Sequence, residues 1–164
     1  MSGLRIEKLT RLHAVEVFDC GSEPLNRYLA KYALTNQLAN AAQTYVALSG
    51  GAILGFHSLA VGEVSHSDAP ERLVKGLARH PVPVMILARL AVHKNWQGKG
   101  IGAGLLKDAV LRTLQASEIA GIRAIVVHAK DEAAQSFYKR FNFSEGLGDP
   151  MHLYALTKEL RALV

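Results

Sequence analysis

The sequence predicts a single mixed α/β domain over residues 1–164: a mixed central sheet with an antiparallel hairpin in its first half and a parallel strand–helix–strand core in its second. Three observations predict it. Gln43 to Leu48 and Ala52 to Val61 are strand-like runs joined by Ser49-Gly-Gly51, a tight-turn sequence. Val84 to His93 is apolar except for Arg89, the pattern of a strand buried on both faces. A glycine-rich turn, an apolar-striped helix and a second apolar strand, Arg123 to Ala129, follow it, which predicts a right-handed parallel crossover.

Taken in order, Leu4 to Leu9 alternates apolar and polar residues and reads as a first strand. Phe18-Asp-Cys-Gly21 is a turn. Ser22, Glu23 and Pro24 open a helix well, as cap, as an acid at the positive end, and as a proline tolerated in the first turn. Leu25, Tyr28, Leu29, Tyr32 and Ala33 then share one apolar face, and the helix is expected to reach Leu38. In the hairpin, Gly55 signals a bulge or a close backbone approach. Ser65 to Pro83 is polar and basic, with a short helix expected over Pro70 to Ala78. The helix from Ile101 to Ser117 carries a core stripe of Ile101, Leu105, Leu106, Ala109, Val110 and Leu114. Asp131 caps a helix from Glu132 to Arg140, Phe143 to Glu145 is a short strand, and Met151 to Leu156 is the last strand.

Composition narrows the setting. No apolar run approaches the ~18 residues that a membrane span requires, and Glu7 and Lys8 interrupt any signal peptide. A single cysteine, Cys20, excludes an internal disulfide and fits a reduced cytoplasm, where it reads as a small core residue. Seven scattered histidines with one cysteine give no metal-ligand spacing, so no metal is expected. The net charge is +5, yet residues 72–112 alone carry +7 (eight basic residues against Asp108), which leaves the remainder at −2. A basic field concentrated in this way favours a polyanionic partner, a nucleotide cofactor or a nucleic acid.

The chemistry centres on Gln97-Gly-Lys-Gly-Ile-Gly102. It lies between a buried strand and a helix, where the first-turn N–H groups lack intrahelical partners and the helix dipole is positive. Gly98, Gly100 and Gly102 remove side chains that would hold a phosphate away, and Lys99 adds a cation. The turn therefore reads as a pyrophosphate cradle. It is not a Walker A loop, since no Gly-Lys-Ser/Thr ends it, and Ala103 and Gly104 break the dinucleotide spacing. Both of those folds also place the loop near an N-terminal strand, whereas this one lies past the midpoint.

The Q-x-x-G-x-G pattern at Gln97 to Gly102, after Leu90-Ala-Val92, resembles the acetyl-CoA motif of the GNAT acetyltransferases. Ala134-x-x-Phe-Tyr-x-x-x-Asn-Phe143 resembles a second segment of that family, with Asn142 where glycine is usual. Phe18-x-Cys-Gly-x-x-x-Leu-x-x-Tyr-Leu29, with Ala33-x-x-Asn-Gln37, is similar to the GNAT toxins of bacterial type II toxin–antitoxin systems. The resemblance implies acetylation of the α-amine of aminoacyl-tRNA, a homodimer and a ribbon-helix-helix antitoxin. It implies acetyl-CoA contacts from the backbone of Leu90, Ala91 and Val92, a diphosphate over Gly98, Gly100 and Gly102 flanked by Gln97, Lys99 and Ile101, and a further contact from Phe137. It also implies that Tyr138 is the general acid for the departing thiolate; the reference phenol pKa of ~10 would make that transfer nearly balanced.

The general base is less evident. Residues 82–107 contain no Asp or Glu, so the central strand supplies no carboxylate. His57 and His93 are possible bases. An α-amine, with a pKa of ~7.7–8 against ~10.4 for lysine, is substantially a free base near neutrality, so the missing carboxylate suits an α-amine acceptor. Arg89 requires a carboxylate, carbonyls or a polyanion, with Glu63 and Glu145 as structural options. Arg72, Lys75 and Arg79 are expected to line one face of a short helix and, with Arg89 and Lys94, to meet tRNA. Two other readings keep the cradle: a GNAT enzyme for a small amine or protein N-terminus, and a non-catalytic coenzyme A-binding module.

Overall fold

A computed structural model describes residues 4–163. The seven strands are hydrogen-bonded in the order β1 (Arg5–Lys8), β2 (Gln43–Ser49), β3 (Ala52–Val64), β4 (Val82–Val92), β5 (Ala124–His128), β7 (His152–Leu156) and β6 (Ser144–Glu145). The chain divides into two compact units, Met1–Ala60 with Ala88–Ala109, and Val61–Leu87 with Val110–Val164; β3 and β4 run through both.

In the first unit, β1, β2 and β3 pair antiparallel. Alternation along β2 sends Val46 and Leu48 into a core with Leu9, Phe18, Tyr28, Leu29, Ala33, Ile53, Phe56 and Ala91. Ala47, from the same strand, joins Leu54, Ile101 and Leu105 instead. Gly55 satisfies both of its expectations. The β2–β3 register shifts between Ala47 and Leu48, opposite it, and a Cβ there would lie 2.7 Å from both the Ala91 carbonyl oxygen and Leu105 Cδ1.

The helix expected from Ser22 to Leu38 is one helical segment with a π turn inside. Regular α1 (Glu23–Arg27) gives way to π geometry over Tyr28–Tyr32, where the Ala33 N–H reaches the Tyr28 carbonyl, and α2 (Ala33–Leu38) resumes. The wider turn places Ala33, rather than Tyr32, beneath Tyr28. Ala33 is therefore fully buried and Tyr32 is 52% exposed, which corrects its assignment to the apolar face. Gln37 then ties the segment to the sheet. Its Nε2 donates to the Leu9 carbonyl at 2.7 Å and its Oε1 accepts from the Thr44 N–H at 3.0 Å.

In the second unit, β4 and β5 are parallel from Val84/Ala124 to Leu87/Val127, and β7 pairs antiparallel with β5 and β6. Ala69, Leu73, Val82, Val84, Ala124, Val126, Tyr154 and Leu156 form its core. Helix α3 is limited to Glu71–Val74, so the expected helix over 70–78 stops halfway, at Lys75 and Gly76, which has φ +81°. Helices α4 (Ile101–Ser117) and α5 (Glu132–Arg140) match their expected bounds. A terminal α6 (Thr157–Arg161) was not anticipated. Asn142 has φ +73°, the left-handed conformation that suits glycine or asparagine after a helix, which explains how it stands in for the family's glycine.

Candidate active site

The cradle is built by one strand, one turn and one helix. The parallel register of β4 with β5 stops at Leu87, and Ala88, the next residue, is exposed although it lies in the middle of β4. Continuous apolarity therefore misleads here: Arg89, Leu90 and Val92 are half-buried and Ala91 is buried. A strand edge released from its neighbour offers backbone N–H and C=O groups to an extended ligand. After β4, His93 starts a 3₁₀ turn over Lys94–Trp96 by accepting the Asn95 N–H on Nδ1 at 3.1 Å.

Gly98 and Gly100 have φ of +76° and +85°, and a Cβ on either would meet nothing within 4 Å. Backbone conformation, rather than crowding, requires glycine at both, and the space beside them is open. Gly102 lies inside the first turn of α4, where the helix dipole is positive at the end of a 17-residue helix. Lys99 is exposed, 5.5 Å from the Trp96 ring centroid, and buried Ile101 anchors the helix start. Helix register thus places the cradle's N–H groups, and no acidic side chain shares the turn.

Gln97 has a definite job in this geometry. Its Nε2 donates to the Cys20 carbonyl at 3.2 Å and the Val92 carbonyl at 3.0 Å. It therefore joins the turn to the Phe18–Gly21 segment. Asp19 reinforces that join: it accepts from Lys94 Nζ at 2.9 Å, from the Gly21 N–H and from Asn26 Nδ2. These donors, the Lys94 ammonium foremost, hold its carboxyl well below the usual carboxylate range. Lys94, expected to meet tRNA, pairs here with Asp19 while its side chain stays exposed.

Tyr138 lies on α5, whose N-terminus Asp131 caps by accepting the Ala134 N–H at 2.8 Å. The ring is only 7% exposed, edge-on to Phe137 and Phe143, and burial pushes the phenol up to about 12. Burial therefore makes the Tyr138 phenol a weaker acid than the reference value of ~10 supposes. Phe137 is half-buried between Tyr138 and Phe141, with Arg140 over its ring.

Other sequence candidates are reassigned by their contacts. His57 is fully buried, with Nε2 2.8 Å from Asp108 Oδ2 and Tyr45 stacked on its ring, so it faces no solvent-borne amine. Arg89 stacks its guanidinium 3.6 Å from the Tyr28 ring centroid, a partner outside the expected carboxylates, carbonyls and polyanions. An arginine in an apolar strand requires a partner, and aromatic faces belong among the options. Arg72 is spent on Glu159, at 2.9 and 3.2 Å, and on Ser144 Oγ at 2.8 Å. Lys75 and Arg79 lie beyond α3, so the expected single basic face does not form, although both are exposed. Among the described residues, no helix is long and apolar enough to cross a membrane.

Comparison with known proteins agrees with this geometry. The acetyltransferase (GNAT) domain model matches residues 40–145. A tRNA-acetylating toxin of Mycobacterium tuberculosis (strain ATCC 25618 / H37Rv) is 43% identical over 150 residues, covering 92% of this chain and 90% of the toxin. Among solved structures, a tyrosine-to-phenylalanine mutant of KacT superposes with a TM-score of 0.92 at 27% identity, over 98% of this chain and 99% of that one. AtaT complexed with acetyl-methionyl-tRNAfMet gives 0.91 at 28% identity over 98% of each chain, and AtaTR bound with AcCoA gives 0.84 at 29% over 99% of each. A glycine cradle at the head of α4, a buried tyrosine on α5 and these matches together place the chain in the GNAT acetyltransferase family.

Proposed function

We propose that this chain is a toxin that transfers an acetyl group from acetyl-CoA to the α-amine of an aminoacyl-tRNA, and so blocks translation. The observation that carries the acceptor is the 43% identity, over 92% of the chain, to a tRNA-acetylating toxin. The open turn at Gly98 and Gly100 and the released edge of β4 support the cofactor. The whole of residues 1–164 acts as one acetyltransferase domain in this reading.

Bound there, acetyl-CoA would supply an acyl group activated as a thioester. Leu90, Ala91 and Val92 offer backbone groups along the strand edge, and Gly98, Gly100 and Gly102 admit the diphosphate to the amides of the first turn of α4. Lys99 adds charge, Ile101 fixes the helix start, Phe137 contributes an apolar contact, and Gln97 holds the turn in register. Tyr138 Oη keeps its proton until negative charge develops on sulfur. At about 12, full transfer is less favourable than for an ordinary phenol, so the hydroxyl serves first as a hydrogen-bond donor to that charge. Residues 82–107 supply no carboxylate base, which an acceptor amine of pKa ~7.7–8 does not require.

Lys75 and Arg79 are the exposed cations of residues 72–79 that remain for tRNA phosphates once Arg72 is committed to Glu159. A cytoplasmic homodimer neutralised by a ribbon-helix-helix antitoxin completes the reading; AtaT bound to the C-terminus of the antitoxin AtaR is a structural relative. The deciding experiment offers labelled acetyl-CoA to charged tRNA, to a polyamine and to a lysine peptide. Label on the charged tRNA α-amine is expected. Label on the polyamine or peptide, with none on tRNA, would overturn the reading.

A further inference from the structure

Antiparallel pairing in the second unit makes a cluster that linear spacing does not show. His128, at the end of β5, and His152, at the start of β7, are directly opposed residues of the ladder. Directly opposed residues of an antiparallel pair carry side chains on the same face. Their rings meet edge to face, 4.6 Å between centroids. Asp149, in the turn entering β7, points its Oδ2 at His128 Nε2, 3.7 Å away. That carboxylate is held from behind. Its Oδ1 accepts the Met151 N–H at 2.8 Å, its carbonyl accepts the His152 N–H at 3.0 Å, and Gln135 Nε2 on α5 donates to the Pro150 carbonyl at 3.0 Å.

We propose that His128, Asp149 and His152 form a binding site for a divalent transition-metal ion of the zinc class. Two imidazoles and one carboxylate, three ligands with an open position, suit Zn²⁺ and its neighbours and do not suit the all-oxygen cations Mg²⁺ and Ca²⁺. One donor atom from each residue lies within 4.8 Å of the other two. Tetrahedral zinc at ~2.0–2.1 Å from each ligand separates donors by roughly 3.3 Å, so the cluster closes on an ion by side-chain rotation alone. His128 and Asp149 are exposed and His152 is half-buried, so the donors have room to turn and the ion has a way in. With neutral imidazoles the site carries one negative charge, which Asp149 supplies and its backbone bonds orient. These hydrogen bonds to Asp149 and its turn set the carboxylate's direction before the metal arrives.

The test uses untagged, chelator-stripped protein titrated with Zn²⁺ and, separately, Co²⁺. One equivalent of either metal is expected per chain, with a visible Co²⁺ absorption and a rise in thermal midpoint on Zn²⁺ addition. His128→Thr, His152→Thr and Asp149→Asn should each weaken binding at least tenfold. Threonine keeps the two strands well formed, and circular dichroism checks this. His66→Ala, remote in sequence, should bind like the parent. Absence of saturable binding, or binding that survives the double variant His128→Thr/His152→Thr, overturns the proposal.

Discussion

His57 Nε2 lies 2.8 Å from Asp108 Oδ2, and the histidine has no exposed surface. The pair joins β3 to α4, two turns along the helix from the glycine cradle. Removing the carboxylate takes this hydrogen bond from a fully buried imidazole, which costs about 2 kcal/mol. Asp108→Ala should therefore lower the thermal midpoint by roughly 4–8 °C. Calorimetry of the two proteins checks this. A midpoint unchanged within 1–2 °C, on the order of half a kcal/mol, would mean that the pair holds nothing together.

Tyr138→Phe keeps the ring and removes the proton. Acetyl transfer should fall by roughly 10²–10⁴-fold while acetyl-CoA binding, measured by calorimetry, stays near parental. The pH profile carries a separate signature. With the phenol at about 12, its ionisation cannot cause a fall in rate near pH 10. Rate should rise with pH as the acceptor amine loses its proton, ~7.7–8, and then stay level through pH 10. A drop centred on 10 would assign the proton to a different, unperturbed group. Stability has the opposite trend: the folded value lies above the unfolded one, so the contribution from Tyr138 is complete below pH 10 and is lost as pH rises toward 12. Tyr154, also raised by burial and by nearby Asp68, adds to the same alkaline loss.

The two kinds of glycine should fail differently. Gly100→Ala forces a side chain onto a left-handed backbone that has open space beside it, at a cost of ~1–2 kcal/mol. Its main effect should be a rise in the KM for acetyl-CoA. Gly55→Ala drives a Cβ to 2.7 Å from the backbone oxygen of Ala91, which cannot rotate away. That variant should lose folded protein, read as a lower denaturation midpoint, before any change in KM at low temperature. The reverse pattern would show that the turn at Gly100 supports the fold more than it receives phosphate.

The basic loop separates charge from structure. Lys75→Ala with Arg79→Ala should weaken tRNA affinity and reduce the slope of log affinity against log salt by roughly 1.4–1.8. Arg72→Ala, which breaks an exposed pair with Glu159, should cost no more than ~1 kcal/mol of stability and leave that slope unchanged. Filter binding across a salt series distinguishes the two. Equal slopes for the double variant and the parent would remove Lys75 and Arg79 from the tRNA surface.

Legibility in the sequence followed the range of the interactions. Strands, the glycine turn and α4 follow from local periodicity, and their bounds matched closely. Pairings remote in sequence did not show: Arg72 with Glu159 and Arg89 with Tyr28 are visible only once the chain has folded. The π turn at Tyr28–Tyr32 escaped because a stripe written for 3.6 residues per turn assigns Tyr32 inward, and one wider turn sends it out. Phenol acidity escaped for a related reason. Desolvation of Tyr138 comes from neighbours assembled by tertiary packing, so the sequence offered only a reference value. The motif residues Gln97, Gln37 and Asn36 turned out to bond Cys20, Val92, Leu9, Thr44 and Tyr28.

That last observation bears on how little of this molecule is separable. The family match begins at residue 40, yet the carbonyl of Cys20 receives Gln97, and Leu9, Phe18, Tyr28, Leu29 and Ala33 cover Val46, Phe56 and Ala91. A recombinant fragment begun at the match would open an oily wall along its hairpin and release the cradle's tether. It would be recovered as aggregate, however complete its catalytic motifs. The first quarter of the chain is accordingly a part of the enzyme's foundation and cannot be exchanged like an appendage.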